Sequence, residues 1–451
     1  LKTQASAKTR WHNNLVGKTN FNRMKQIIVT AILLVCLESI TGCVFKEKGC
    51  TDITALNYNP NALADNGDCL YQLPLPDTYR FKRGDSSSVN YQNEVVYQLL
   101  TLAINQTIEQ LAQPGAASVT LNNFTQWYQD TSHTKPIITP VPPFASYQAT
   151  YSQIAAKQRL SASVVNTFNA NTQLLQWFDT IATRSQNPAL LGTPAVYTTA
   201  QGIDLSMAVS ATLATSVFLA NGVRLLGNIS SNANNNLLAR TNYTAMENAW
   251  DKAFGCFGAA IFYPLYPDEY WQNTPYADHN NDQLINFTQE FTFTFAALAA
   301  QRDGIGDAQT NFTETLFNAW LSGRTAITNK SDLQRSTARQ TLLTEWQRLT
   351  AATAIHHLNA LLSQLPNYGT PAQNLPLLNR HWTGFWVYLG ALRYFNPPTA
   401  NATNLLALLG NEPVYAQPGS DDYNNYLTKL NQIKTALKTA YQFSDFQMDN
   451  F

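Results

Sequence analysis

An all-α protein is predicted by three features of the sequence. From Glu94 onward, large apolar residues recur at spacings of three and four, the period of helices that bury one stripe. Runs alternating apolar and polar residues, the mark of half-buried strands, are sparse. The middle of the chain carries Ala245-Met246-Glu247-Asn248-Ala249-Trp250-Asp251-Lys252-Ala253-Phe254-Gly255-Cys256-Phe257-Gly258-Ala259-Ala260-Ile261-Phe262, in which Met246, Trp250, Phe254 or Phe257, and Ile261 share one helical face. Gly255 and Gly258 each cost about 1 kcal/mol against Ala inside a helix, so a neighbouring element is expected to come close there. Pro264 and Pro267 are expected to end the element. The series Trp250, Phe254, Phe257, Gly258, Ala259 is echoed by Trp382, Trp386, Leu389, Gly390, Ala391, as a duplicated bundle would leave behind.

The totals narrow the functions. At 451 residues the chain is long enough for two or three substructures. Charged residues make up 13% and the formal net charge is zero, which gives no electrostatic basis for binding nucleic acid. Aromatic residues reach 12%, and Asn, Gln, Ser and Thr supply most of the polarity, so a globular, well-packed protein is expected.

Residues 1–23 show no hydrophobic period and read as upstream leader sequence. Residues 24–42 read as a signal peptide, with Met24-Lys25 as its basic start and the apolar run 27–37, too short to span a bilayer. Ile40-Thr41-Gly42-Cys43 resembles a bacterial lipobox, and the resemblance implies lipidation of Cys43, hence a membrane anchor in the cell envelope. Residues 43–73 then form a tether and a small module, and export permits Cys50 and Cys69 to close as a disulfide. Gly49-Cys50-Thr51-Asp52, Ala55-Leu56-Asn57-Tyr58-Asn59-Pro60 and Asp65-Asn66-Gly67-Asp68-Cys69 resemble a short extracellular module of Bacteroidetes-type bacteria. Cys256, within the apolar helix, is expected to pack and not to react.

Residues 74–451 form the helical domain, expected as two bundles with a boundary near 230–270. Its lead-in, Thr78-Tyr79-Arg80-Phe81 and Val89-Asn90-Tyr91, is extended. Besides the central stretch, helices are expected over 94–113, 121–130, 147–185, 203–227, 285–302, 311–323, 335–364, 378–394 and 423–441. Between them, Asp278, Asn280 and Asp282 alternate as in a calcium loop of the EF-hand kind, and Ile285 stands at its apolar position. Gln283 replaces the turn glycine and Gln289 the bidentate glutamate, with Glu290 one place late. A weakly bound calcium ion is the cofactor this loop allows. His356 and His357 are adjacent and should face apart, His381 opens a helix, and neither a His-Glu-x-x-His nor a Gly-x-Ser-x-Gly motif occurs.

Thr78-Tyr79-Arg80-Phe81-Lys82-Arg83, Ser88-Val89-Asn90-Tyr91, Trp250 to Gly258 with Phe254 and Gly255, the loop 278–282 and Tyr394-Phe395-Asn396-Pro397 together resemble an uncharacterised lipoprotein family, a domain of unknown function. That family is distantly similar to imelysin-like proteins. The resemblance implies imelysin-like helical bundles and a part in iron acquisition beside an outer-membrane receptor and an imelysin-like partner. The Gly-x-His-x-x-Glu signature of imelysins is missing. A non-catalytic binding or accessory protein of the outer membrane is therefore expected, with periplasmic or surface exposure. An imelysin-type metal-dependent peptidase and a structural envelope protein are the alternatives.

Overall fold

The computed structural model describes residues 47–55, 57–69, 71–130, 134–156, 159–229, 235–303 and 310–451. The chain divides after Gln72 into two compact units. In the first, Cys50 and Cys69 are joined by a disulfide, as the cysteine spacing predicts. Strands β1 (Lys48–Gly49) and β2 (Ala64–Asp65) pair in parallel. Asp52, Asn59, Asp65 and Asn66 each accept a hydrogen bond from the backbone N–H two residues on, at 2.9–3.0 Å. These Asx turns and the disulfide take the place of a core that so few residues cannot supply.

The second unit opens with the extended lead-in, where β3 (Lys82–Arg83) and β4 (Ser86–Ser87) form an antiparallel pair. Helices follow: α1 (Gln92–Gln110), α2 (Leu121–Tyr128), α3 (Leu160–Ser163), α4 (Ala170–Ser185), α5 (Leu205–Asn228), α6 (Ala245–Phe257) and α7 (Asp268–Asn273). After them come α8 (Thr294–Asp303), α9 (Phe312–Thr328), α10 (Asp332–Gln364), α11 (Leu375–Ala391), α12 (Ala402–Leu409), α13 (Asp421–Tyr441) and α14 (Asp445–Asn450). The all-α expectation holds. A further parallel pair, β5 (Ala145–Ser146) with β6 (Leu284–Ile285), ties a loop to the helices.

One hydrophobic core gathers residues from Tyr79 to Phe451, and the stretch from Met246 to Tyr263 contributes to it. Helix α6 explains why. Its Thr244 and Glu247 form a capping box, the Glu247 N–H donating to Thr244 Oγ1 and the Thr244 N–H to Glu247 Oε2. Trp250 is wholly buried, and its indole N–H donates to the Trp320 carbonyl on α9 at 3.0 Å. The rings of Trp250, Trp320 and Trp346 make edge contacts at 5.6 and 6.0 Å, joining α6, α9 and α10 in one aromatic cluster.

Gly255 meets α1: a Cβ there would lie 2.7 Å from Tyr91 Cβ and 2.8 Å from Glu94 Cβ. Helix α6 ends before the prolines do their work, because Gly258 adopts φ +86° and its N–H bonds to the Phe254 carbonyl. Helix α5 has the length and hydropathy of a membrane span, but 72% of its apolar window is buried within the fold, which makes it a core helix. The expected helix over 147–185 is broken where Phe168 and Asn169 take left-handed φ of 62° and 60°. The one expected from 285 starts only at Thr294, since side-chain and backbone bonds fix the preceding residues as a loop.

Candidate functional site

Three polar regions sit in or on the helical unit, and their hydrogen bonding separates them. The first is a charge knot between the lead-in, α6 and α9. Arg324 has no exposed surface; its Nε donates to Asp251 Oδ1 at 2.9 Å and its Nη1 to Glu247 Oε1 at 2.8 Å, while Nη2 reaches the Ser88 carbonyl at 3.1 Å. Asp251 also accepts from the Tyr79 hydroxyl (2.8 Å) and the Asn90 N–H (3.2 Å), and Glu247 from Arg83. Burial pushes the Asp251 carboxyl up to about 6 against the pull of Arg324. At Glu247 burial also acts upward, but Arg324, the Thr244 amide and Arg83 outweigh it and hold the group below its usual range. Every charge here is partnered, and Tyr79 stacks on Phe254 at 3.6 Å. The knot fastens the lead-in to the core. Trp250, Phe254, Gly255 and Gly258 thus belong to the scaffold.

The second region is the loop 278–290. Both oxygens of Asp278 accept backbone N–H groups, of Asp282 and Gln283, and Asn280 Oδ1 accepts the Asp282 N–H. Asp282 Oδ1 accepts from Leu284 N–H and its Oδ2 from the Asn280 amide. Gln283, at the position of the EF-hand glycine, takes φ 65°. Ile285 is buried and paired through β6, as its apolar position predicts. Glu290 is buried and spends its oxygens on the N–H groups of His279 and Asn286. So Asp278, Asn280 and Asp282 come together, while Glu290 closes the loop from beneath. Among the described residues no group of three or more His, Cys, Asp and Glu side chains is arranged to hold a metal ion.

The third region is a cleft of about 470 Å³ between α1, α5, α8 and α11. Thr101 and Asn105 on α1, Ser210 on α5, Thr139, Phe293 and Tyr388 line it. Asn105 donates its amide to Ser210 Oγ at 3.0 Å, leaving its Oδ1 as an acceptor. That oxygen, Thr101 Oγ1 and Thr139 Oγ1 are all buried without a hydrogen-bond partner among the described residues. Unpartnered buried polar atoms are rare in folded proteins because each costs about 1–3 kcal/mol. All three belong to residues that line this one cleft.

Behind the cleft lies a cluster that the sequence reading missed. Tyr388 stacks on His357 with ring centroids 5.7 Å apart, and His357 Nδ1 lies 3.1 Å from His381 Nδ1. His356 is not turned away: its ring lies 6.1 Å from that of His381, and its Nδ1 is 3.1 Å from the Phe451 main-chain oxygen. Gly384 makes the room, since a Cβ there would meet the His357 ring at 2.6 Å. The two Nδ1 atoms lie at hydrogen-bonding distance, one donating to the other. Burial, and then Arg302, depress His356 to about 4; burial and the neighbouring histidines hold His357 well below its ordinary range. Burial lowers Arg302 itself to about 10, and its Nε and Nη1 find no partner among the described residues.

Signals for these residues exist in the sequence. Thr101 and Asn105 are a polar pair at helical spacing on a face otherwise built from Leu99, Leu100, Ile104 and Ile108. Gly384 follows His381 by three positions, leaving a gap on one face of α11. Cys43 lies outside the described residues. Cys256 is buried, and burial raises its thiol well above the ordinary range, consistent with a packing role.

Comparison with known proteins adds one result. The model of a family described as a domain of unknown function, DUF4856, matches residues 76–405, and the chain belongs to that family. No curated protein and no solved structure matches it.

Proposed function

We propose that this chain is a lipid-anchored, non-catalytic binding protein of the outer membrane. It serves as an accessory in nutrient acquisition, with iron as the theme that its imelysin-like resemblance implies. The observation that carries the binding role is the cleft, whose lining residues Thr101, Asn105 and Thr139 each hold a buried polar atom without a partner among the described residues. Hydroxyl and amide groups beside Phe293 and Tyr388 suit a neutral polar ligand that donates to Asn105 Oδ1 and exchanges hydrogen bonds with the two threonines. They offer no nucleophile paired with a base. Anchoring through Cys43 places such a site next to an outer-membrane receptor, with an imelysin-like protein as a further partner.

The peptidase alternative draws on the grouping of His356, His357 and His381. Against that reading, His357 and His381 bond to each other, His356 bonds the Phe451 main-chain oxygen, and the cation Arg302 lies beside His356 and His357.

A deletion strain is expected to grow poorly only when iron is limiting, and the wild-type gene should restore growth. Asn105→Leu should not restore it although the protein is made at normal levels. Cys43→Ala should release the protein from the membrane fraction. Full rescue by Asn105→Leu would refute the cleft as the working site, and unchanged membrane association of Cys43→Ala would refute the anchor.

A further inference from the structure

A second cavity, of about 240 Å³, draws on two of the cleft's four helices, α5 and α11, but on different residues. Helix α5 contributes Thr212 and Thr215 to it and helix α11 contributes Trp386, while Trp177, Phe168 and Arg393 complete its wall. We propose that this cavity binds a small organic acid, with a carboxylate on Arg393 and a flat ring against Trp386.

Arg393 carries the first half of the argument. Its Nε donates to the Gly390 carbonyl at 3.0 Å, and its guanidinium lies 3.7 Å from the centre of the Phe168 ring. No carboxylate among the described residues forms an ion pair with it. With Nε spent, the two Nη nitrogens remain as a planar fork, the shape that receives both oxygens of a carboxylate.

Phe168 fixes the plane of that fork. It is 41% exposed and sits at φ 62°, followed by Asn169 at φ 60°. A bulky residue in left-handed backbone is a steric outlier that persists only where its surroundings impose it. Here the imposing contacts are Arg393 on its face and Tyr394 at its edge, 5.6 Å away. An exposed ring in a strained backbone, covering an otherwise unpaired cation, holds the guanidinium flat and leaves its outer edge free.

The second half is aromatic. Trp386 is partly buried and stacked on the fully buried Trp382, with centroids 6.1 Å apart and planes 15° from parallel. Its indole is therefore a braced, rigid surface. The cavity lies below the roughly 300–1,000 Å³ typical of sites for drug-sized molecules, so one ring with one carboxylate is the size it admits.

Benzoate is the probe, with benzyl alcohol, acetate and inorganic phosphate as controls, each titrated into the purified protein while saturation-transfer NMR and tryptophan fluorescence are followed. Benzoate should bind with a dissociation constant on the order of 1 mM, as expected for so few atoms. Benzyl alcohol, which lacks the charge, and acetate, which lacks the ring, should each bind at least tenfold more weakly. Arg393→Gln should weaken benzoate at least tenfold, Arg393→Lys should recover only part of that loss, and Trp386→Leu should remove the fluorescence response. Thermal melting of each variant without ligand verifies that the fold survives. The proposal is overturned if benzoate does not bind, if benzyl alcohol or phosphate binds as tightly as benzoate, or if a folded Arg393→Gln protein binds benzoate like the wild type.

Discussion

Arg324 and Arg302 are both buried in the same helical core, and the fold treats them in opposite ways. Around Arg324 two carboxylates, a serine and a threonine take up its donors, and the carboxylates are bonded in turn to Tyr79, Asn90, Arg83 and Thr244. Around Arg302 stand the depressed His356 and His357 and Tyr388, and two of its nitrogens lack partners among the described residues. The first arrangement is what a structural tie requires, since a buried charge is tolerated when paired and bonded. The second spends stability, and it lies behind the one cleft in which three further polar atoms go unpartnered. The knot's polar groups are satisfied within the fold, whereas the Arg302 cluster and the wall of the cleft keep polar atoms without a partner among the described residues.

The largest effect should come from cutting the knot. Arg324→Met leaves Asp251 buried without its cation and Glu247 with Arg83 alone, and should cost about 3–5 kcal/mol in urea unfolding. Arg302→Met removes a charge that has little to lose and should change stability by less than about 1 kcal/mol, or raise it. Equal losses in the two variants would erase the distinction.

Next in size is the dependence on pH. Burial holds His356 at about 4 in the fold, against 6.5 when free, and depresses His357 and His381 as well. These groups cost nothing above 6.5. As pH falls from there toward 4, the unfolded chain binds protons that the folded chain refuses, so stability is lost. Glu94 works with the opposite sign: burial raises it from 4.5 to about 7, so the stability linked to its proton is present below 4.5 and fades as pH rises toward 7. Urea midpoints from pH 4 to 8 should show His356→Gln reducing the acid-side loss and Glu94→Gln reducing the decline toward neutrality. A profile changed by neither substitution would show that these groups titrate normally in the fold.

The smallest effect is expected at the loop. Asp278→Ala removes two acceptors for backbone N–H groups and should cost about 1–2 kcal/mol. Calcium, if the loop takes it, should bind with no better than millimolar affinity, because Glu290 is engaged elsewhere. Calorimetry of the wild type and of Asp278→Ala measures this, and a heat of binding shared by both would place the calcium somewhere else.

How far the sequence foretold this comparison differs between its two sides. The scaffold was legible because its signals are local: the Trp250 stripe, Gly255 and Gly258 where a neighbour comes close, and two cysteines at either end of one short loop. The cleft was not legible, because Thr101, Thr139, Ser210, Phe293 and Tyr388 come from segments that only packing brings together. The histidines misled for a related reason. His356 and His357 do differ in direction along α10, but α11 crosses closely enough at Gly384 for His381 to reach both. The single core was hidden too, since an echo between the Trp250 and Trp382 helices says nothing of whether α6, α9 and α10 share their aromatic side chains.

The most direct measurement is the unfolding free energy of Thr101→Val. This change keeps the shape of the side chain and removes only the hydroxyl, which is buried and unpartnered beside the cleft. If that hydroxyl is held for a ligand, the variant unfolds at the same urea concentration as the wild type, or a higher one. A loss of more than about 1 kcal/mol would mean that the hydroxyl is satisfied within the fold, and the cleft would then be ordinary core.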